Sequence, residues 1–422
     1  MAELAERSIV KGLERLRHGR LELVTPDGRR LVFGGSSGSR PRAIVRVHDP
    51  AFYRRLLLDG DVGAGESYIR GEWSSDDLVA LVRLVIANAG ALEAVTLLAW
   101  VGGLLGRARH WMRRNTLRGA KRNIQAHYDL SNEFFAFFLD RSMTYSCAYF
   151  ERPDASLLEA QLAKYRRLAE KARLRPGEHV LEIGCGWGGF AEFAAREYGC
   201  RVTGITISRE QASYARERLR RAGLDDRVRI ELTDYRRLRG RFDKIMSIEM
   251  LEAVGHAYLP AFFSKVDELL APDGIAVIQV ITIPDARYER YRRRPDYIQK
   301  FVFPGSHLPS LGAMASAMAD HTELLVEDLE NIGPHYAETL RRWRLRFLER
   351  ADAVRRLGFD DAFLRLWEFY LAYCEGGFAS RYINDLQLVL TRAANPALGA
   401  GPYGRREAKT RPLADARAVS VS

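Results

Sequence analysis

Cysteine is scarce in this chain and never arranged to cross-link. Its four copies, Cys147, Cys185, Cys200 and Cys374, form no CxxC pair and no framework spacing. That pattern suits free thiols in a reducing, cytoplasmic compartment and argues against a disulfide scaffold. No histidine pair has metal-ligand spacing such as HExxH, so His127, His256, His307, His321 and His335 carry no metal expectation. Between Met1 and Arg20 charges recur and no apolar core develops, so no secretory signal is expected. Internal repeats and RNA- or DNA-binding motifs are also missing. The net charge of +11 therefore favours an anionic partner without naming nucleic acid.

What is present bounds the organisation. A chain of 422 residues exceeds one ordinary domain, and a hydrophobic content of 47% sustains a packed core. Leu21 to Phe33 reads as a hairpin around Pro26-Asp-Gly28, and Ala43 to Val47 as a further strand. Phe52 to Leu58 and Asp76 to Ala87 read as helices, so a small α+β domain is expected over residues 1–115. From Val180 the pattern alternates as in a parallel α/β sheet, with strands expected at Val180–Ile183, Arg201–Ile205, Val228–Leu232, Phe242–Ile248 and Ile275–Thr282. Ser208–Ala222 and Tyr258–Leu270 are the intervening helices, and Arg341–Arg356 and Phe363–Glu375 are late ones. That domain is expected over residues 116–395, followed by a flexible tail at 396–422.

Leu84 to Gly106 is apolar except for Asn88, Glu93 and Thr96. Its length could span a bilayer, but Glu93 near its middle would cost roughly 3 kcal/mol there. A buried helix or a lipid-facing surface element is expected instead. Arg107, Arg109, Arg113, Arg114, Arg118, Lys121 and Arg122 follow directly, with no acidic residue between Glu93 and Asp129. Basic residues beside an apolar segment suit an anionic membrane surface; a solvated connector is the plainer alternative.

The chemistry begins at Val180-Leu-Glu-Ile-Gly-Cys-Gly-Trp-Gly-Gly-Phe190. Glycines let a backbone turn at positive φ and approach a ligand closely, and a helix N-terminus supplies free N–H donors. Such a turn after a first parallel strand is where doubly wound folds bind adenosine-containing cofactors. The glycines alone fit NAD, FAD or S-adenosylmethionine. The next strand ends in Thr206 and Gln211 where dinucleotide folds usually place an acid. Those groups suit a ribose or a methionine moiety, whereas helix capping explains Ser208 equally well. Asp234 and Tyr235 follow the third strand, with a carboxylate for an adenine amino group.

At this point the sequence resembles a family. Gln125-Ala-His-Tyr-Asp-Leu-Ser-Asn-Glu-Phe-Phe135, Met143-Thr-Tyr-Ser-Cys-Ala-Tyr-Phe150, Leu181-Glu-Ile-Gly-Cys-Gly-Trp-Gly-Gly189 and Gly204-Ile-Thr-Ile-Ser208 look like the cyclopropane-fatty-acyl-phospholipid synthases and the related mycolic acid cyclopropane synthases. Phe301-Val-Phe-Pro-Gly305, His307-Leu-Pro-Ser310 and Gly333-Pro-His-Tyr-Ala-Glu-Thr-Leu340 fit the same family. Asp59 to Trp73 is similar to the N-terminal domain of the phospholipid enzymes, so the likeness covers about residues 45–392.

The resemblance implies a Rossmann-like class I methyltransferase domain beside a smaller N-terminal α+β domain. It implies S-adenosylmethionine as methyl donor, held by Tyr145, Ser146, Gly184, Cys185, Gly186, Trp187, Gly188, Thr206, Ser208, Gln211, Asp234 and Tyr235. The implied acceptor is the cis double bond of an unsaturated acyl chain, in a phospholipid at the inner face of a membrane. A homodimer is among the assemblies it allows. An alkene needs no activating base at the start, only alignment with methyl and sulfur. Methyl addition leaves a carbocation, which requires a dry pocket lined by apolar or π-rich groups such as Tyr145, Tyr149, Phe150, Trp187 and Tyr336.

A base must then remove a proton from the added methyl so that a ring closes. The resemblance implies a bound bicarbonate for that step, held by Cys147, Glu252, Tyr336 and the Ile281 backbone. Cys374 matches a cysteine proposed as catalytic, with packing near the pocket as its expected role. Two departures stand out. Ala253 follows Glu252 where the family commonly has histidine, and Gln279 replaces a bicarbonate-contacting histidine. An amide can hydrogen-bond an anion but cannot relay a proton. A methylene- or methyl-branched product is therefore the alternative to a cyclopropane. The remaining rivals are a small-molecule methyltransferase, a lipid-binding protein without catalysis, and a nucleic-acid-binding protein, which the lack of a motif disfavours.

Overall fold

The computed structural model describes residues 2–36, 38, 40–92 and 131–398. Near the N-terminus, strands β1 (Arg20–Val24), β2 (Arg30–Gly34), β3 (Arg42–Val47) and β4 (Trp73–Ser75) form one sheet in the order β2-β1-β3-β4. The expected hairpin joins β1 to β2, while β3 runs parallel to β1 and antiparallel to β4. Alternation turns Leu21, Leu23, Val45 and Val47 to the buried face.

Helices Ala51–Asp59, Asp61–Ile69 and Leu78–Ala87 accompany this sheet. Asp77 caps the last of them by accepting from Ala80 N at 2.9 Å. Asn88 ends it. This first interruption of the long apolar run is buried rather than solvent-facing. Its side chain accepts from Arg17 N at 2.8 Å and His18 N at 3.0 Å, and donates to His18 O and Leu84 O at 2.8 Å each. The rest of the apolar run, the basic connector, the expected boundary near residue 115 and the start of the Gln125–Phe135 motif lie outside the described residues, as does the tail from 399. Among the described residues, no helix is long and apolar enough to cross a membrane.

The second sheet has seven strands in the order β10-β11-β9-β8-β5-β6-β7. Strands β5 (His179–Ile183), β6 (Arg201–Thr206), β7 (Val228–Leu232), β8 (Phe242–Ile248) and β9 (Leu270–Thr282) are mutually parallel. They are the five expected from sequence. Helices Gly189–Tyr198, Arg209–Arg221 and Leu259–Leu269 supply crossovers. Strands β10 (Leu324–Asn331) and β11 (Asn384–Arg392) are additions, and both pair antiparallel. The expected late helix Arg341–Arg356 is instead two helices, Gly333–Glu349 and Ala351–Arg356. The chain breaks between them at Arg350, whose φ of −102° and ψ of 11° leave the helical region.

One core joins the N-terminal sheet to the late helices, while the seven-stranded sheet packs two further clusters of its own. Leu21, Phe52 and Trp73 belong to the same buried cluster as Phe134, Trp367 and Tyr370. Contact is close at two glycines. A Cβ on Gly65 would lie 2.1 Å from Tyr297 Cδ2, and one on Gly376 would lie 2.6 Å from Val82 Cγ1. Both neighbours are packed side chains, so neither position can expand without displacing the layer opposite. Gly65→Ala is accordingly expected to cost about 1–3 kcal/mol by overpacking. Chemical denaturation checks this, and an unchanged midpoint would show that Tyr297 gives way freely.

Candidate active site

The carboxyl ends of β5, β6, β7 and β8 border a cavity of about 800 Å³. Sheet order reverses at β5, between β6 and β8, the position where open α/β sheets bind ligands. Gly184, Gly186 and Gly188 there have φ of 84°, 50° and 81°, and Gly188 is the N-cap of helix Gly189–Tyr198. At Gly184 a side chain is excluded by space as well as by φ. A Cβ on Gly184 would meet Met250 Cγ at 2.7 Å.

Most residues assigned to the methyl donor reach this cavity. Tyr145, Ser146, Gly184, Cys185, Gly186, Trp187, Thr206, Gln211, Asp234 and Tyr235 all line it. Thr206 Oγ1 donates to Gln211 Oε1 at 2.9 Å. Asp234 is oriented by Arg236, whose backbone N and Nη2 lie 3.0 and 2.6 Å away. Burial alone would raise the Asp234 carboxyl, but those hydrogen bonds outweigh it and hold the group below its ordinary value. It is therefore an ionised acceptor. Gly188 and Ser208 are not cavity-lining residues. Ser208 caps helix Arg209–Arg221, accepting from Gln211 N at 3.3 Å, so the capping alternative describes it.

The cradle fits S-adenosylmethionine. Its turn excludes side chains, its second strand end offers a hydroxyl and an amide, and its third offers a carboxylate. Trp187 braces it, donating to Asn132 Oδ1 at 2.7 Å and meeting the Phe135 ring at a tilt of 55° with centroids 5.1 Å apart. Aromatic rings continue into the cavity, where Tyr145 Oη meets Tyr370 Oη at 2.8 Å and Tyr336 lies 4.4 Å from Phe378.

The residues assigned to bicarbonate are arranged differently from expectation. Glu252, Ile281, Tyr336 and Cys374 line the cavity, whereas Cys147 and Gln279 are wholly buried behind its wall. Their donors are already engaged. Cys147 N and Gln279 Nε2 both donate to Glu249 Oε1 at 2.8 Å, and Tyr336 Oη donates to Glu249 Oε2 at 2.5 Å. Ile281 N donates to Glu252 Oε1 at 2.5 Å. Gln279 also donates to Asp385 Oδ2 at 3.0 Å and accepts from Gln387 Nε2 at 3.1 Å. It is a strut between strands whose donors meet the carboxyls of Glu249 and Asp385 rather than a free anion. So arranged, these residues do not fit a separate bicarbonate.

Sequence reasoning gave a role to Glu252 but none to the charged groups around it, Lys164, Glu182, Glu249 and Asp385. Lys164 Nζ donates to Ser146 Oγ at 2.8 Å, and burial lowers its pKa to about 8. Burial raises Glu182 to about 8. Glu252 is raised to about 8 by burial and then by the charge of Glu249, and its Oε2 is buried without a hydrogen-bond partner among the described residues. Burial also lifts Asp385 well above the ordinary carboxylate range, reinforced by Glu249 and Glu252. Cys147 and Cys374 are both raised by burial, which keeps them thiols and disfavours either as a nucleophile. The one available signal was the i, i+3 spacing of Glu249 and Glu252 just after a strand. Among the described residues no cluster could hold a metal ion.

Known proteins are similar to this chain in sequence and fold. The chain is 41% identical to tuberculostearic acid methyltransferase UfaA1 of Mycobacterium tuberculosis, across 90% of this chain and 89% of that protein. It is 37% identical to a cyclopropane-fatty-acyl-phospholipid synthase of Escherichia coli, across 86% and 91%. Among solved structures, the cyclopropane synthase MmaA2 of Mycobacterium tuberculosis superposes with a TM-score of 0.61 at 31% identity, covering 64% of this chain and 98% of that one. The mycolic acid cyclopropane synthase CmaA1, complexed with SAH and CTAB, gives a TM-score of 0.60 at 33% identity over the same shares. The family described as mycolic acid cyclopropane synthetase matches residues 115–388. With that span and those identities behind the glycine cradle, the chain belongs to the mycolic acid cyclopropane synthetase family, and it is an S-adenosylmethionine-dependent methyltransferase.

Proposed function

We propose that this enzyme transfers a methyl group to the cis double bond of an unsaturated acyl chain and closes it to a cyclopropane. The observation that carries the reading is a donor cradle opening into the same cavity as a buried carboxylate pair, Glu249 and Glu252. S-adenosylmethionine, when bound, supplies an electrophilic methyl. The chain's own residues do the rest. Tyr145, Tyr336, Phe303 and Phe378 line a dry wall suited to a transient carbocation. No general base is needed before methyl transfer, and a carboxylate is needed after it, which matches the groups present.

A phospholipid acceptor is supported by a second wall. Five arginines lie between residues 287 and 294. Arg292 and Arg293 pair with Glu289 at 2.7 and 3.1 Å, while Arg287, Arg290 and Arg294 line the cavity. Nη1 of Arg287 is buried without a hydrogen-bond partner among the described residues. Guanidinium groups beside an apolar cavity suit a phosphodiester attached to an acyl chain. Together with the basic connector they favour an enzyme placed peripherally on the inner face of a membrane. A methylene- or methyl-branched product is the second reading. It is favoured by Gln279, which cannot relay a proton, and by the relative named tuberculostearic acid methyltransferase.

Two outcomes follow. The purified enzyme, given S-adenosylmethionine and liposomes of cis-monounsaturated phospholipid, is expected to add one carbon to the acyl chain. NMR of the product separates a ring from a methylene branch, and the absence of any one-carbon addition across several lipids would sink the reading. The second concerns Glu252→Gln, which should lower turnover more than it changes S-adenosylmethionine binding measured by calorimetry. Equal loss of both would count against its role. The same substitution carries a pH signature. Folded Glu252 keeps its proton up to about 8, whereas the unfolded chain releases it near the ordinary carboxyl value. Stability should therefore fall as pH rises through that window, and melting curves of the Gln variant should fall less steeply.

A further inference from the structure

We infer that the side chain of Glu249 occupies the anion site of the proton-removing half and is itself the proton acceptor, in place of a bound bicarbonate. The inference rests on the methyl-transfer reading above and gives its last step to a named residue.

Three donors from three separated segments converge on this one carboxylate. Cys147 N comes from the loop before helix Leu157–Lys171, Gln279 Nε2 from β9, and Tyr336 Oη from helix Gly333–Glu349, at 2.8, 2.8 and 2.5 Å. Cys147 and Tyr336 are residues that the family likeness assigns to bicarbonate, and Gln279 holds the position of its histidine contact. An oxyanion nest is therefore present, and a side chain of this protein fills it. Glu249 also lines the cavity, so its carboxylate is reachable by substrate.

The backbone supplies an independent observation. Glu249 has φ of 49°, in the left-handed region, which costs a residue with a Cβ about 1–2 kcal/mol. Strain of this kind persists where surrounding structure over-determines it, and it concentrates at functional sites. The conformation is pinned by Glu249 N donating to Gln279 O at 2.8 Å. A glycine would adopt it without penalty, yet the chain carries a glutamate whose side chain is thereby aimed into the nest.

The neighbours divide the labour. Burial raises Glu249, but the bonds from Tyr336 and Cys147 and the charge of Lys164 oppose that rise. Glu252 next to it receives one donor and is protonated near neutral pH. With three donors against one, Glu249 is a better seat for negative charge than Glu252. In the reaction, the alkene carbon bonds to the methyl as the methyl–sulfur bond breaks, leaving S-adenosylhomocysteine and a cation on the adjacent carbon. Glu249 takes a proton from the added methyl. The C–H electron pair becomes the third side of the ring, and the proton passes to solvent as product leaves.

Anion rescue tests this. In CO2-free buffer the wild-type enzyme should turn over at the rate it shows with added bicarbonate. Glu249→Gly, which relieves the backbone and empties the nest, should be slower by about 100-fold and recover about tenfold or more with bicarbonate or formate. Glu249→Gln keeps the volume but accepts no proton, so it should be equally slow and show no rescue. Line broadening of 13C-labelled bicarbonate in NMR gives a readout apart from turnover: Glu249→Gly should bind the anion and the wild type should not. S-adenosylhomocysteine calorimetry confirms that each variant is folded. Bicarbonate dependence or bicarbonate binding in the wild type overturns the inference, as does a Glu249→Gly enzyme active without any anion. A wild type that alkylates no alkene defeats the methyl-transfer reading instead. The NMR comparison then still decides what fills the nest.

Discussion

Desolvation of carboxylates is the constraint on which the site depends. Glu182, Glu249, Glu252 and Asp385 crowd behind the glycine turn with Lys164 as the buried cation, and burial is the largest influence on every one of them. Burial limits how much water can share their charge, so an ionised group is favoured where a donor meets it and otherwise tends to hold its proton. The protein does both. Glu249 receives three donors, while Glu252 and Glu182 are raised to about 8 and each has a buried oxygen without a partner among the described residues. An unmet buried polar atom costs about 1–3 kcal/mol, a cost that a purely structural wall of leucines would avoid.

The same burial suits the proposed substrate. A carbocation survives only where water cannot reach it, and excluding water requires walls from several parts of the chain. Val82 and Ile86 come from the N-terminal layer, Phe303 and Leu308 from the segment after β9, and Gly377 and Phe378 from helix Asp361–Ala379. The continuous core through Trp73, Phe134 and Trp367 holds those walls together. The close approaches at Gly65 and Gly376 therefore bear on the cavity as well as on stability. A shift in the N-terminal layer moves Val82, and Val82 lines the cavity.

The parallel half of the fold was legible because its strands are short, largely apolar segments alternating with helical ones. Strand β10 was not, since Leu324–Asn331 is acidic and mostly exposed at a sheet edge and shows no clean alternation. β11 was hidden by polar residues, Asp385, Gln387 and Thr391, that are buried by hydrogen bonding rather than exposed. The donor half of the site was readable for a related reason, because its geometry is local to three strand ends. The other half joins Cys147, Gln279 and Tyr336 across long separations, and motif likeness names such residues without saying what their hydrogen bonds serve. Gln279 shows the difference. Its amide is occupied at both ends by Glu249, Asp385 and Gln387.

Under the proposed mechanism, which product forms reduces to where one carboxylate oxygen sits relative to two kinds of C–H bond. Loss of a proton from the added methyl closes a three-membered ring, and loss from a neighbouring chain carbon leaves an alkene branch. The cation is common to both, so stabilising it more strongly chooses neither. Choice comes from holding the acceptor still, since both protons are acidic enough to leave. A free anion can shift within its nest, whereas Glu249 is tethered through a backbone in a left-handed conformation and clamped by three donors. A base of this kind addresses a fixed point in the cavity. Product identity is therefore set by how the acyl chain lies across the walls at Tyr336, Phe303 and Ile281, and the same catalytic groups can serve either outcome in enzymes whose walls differ.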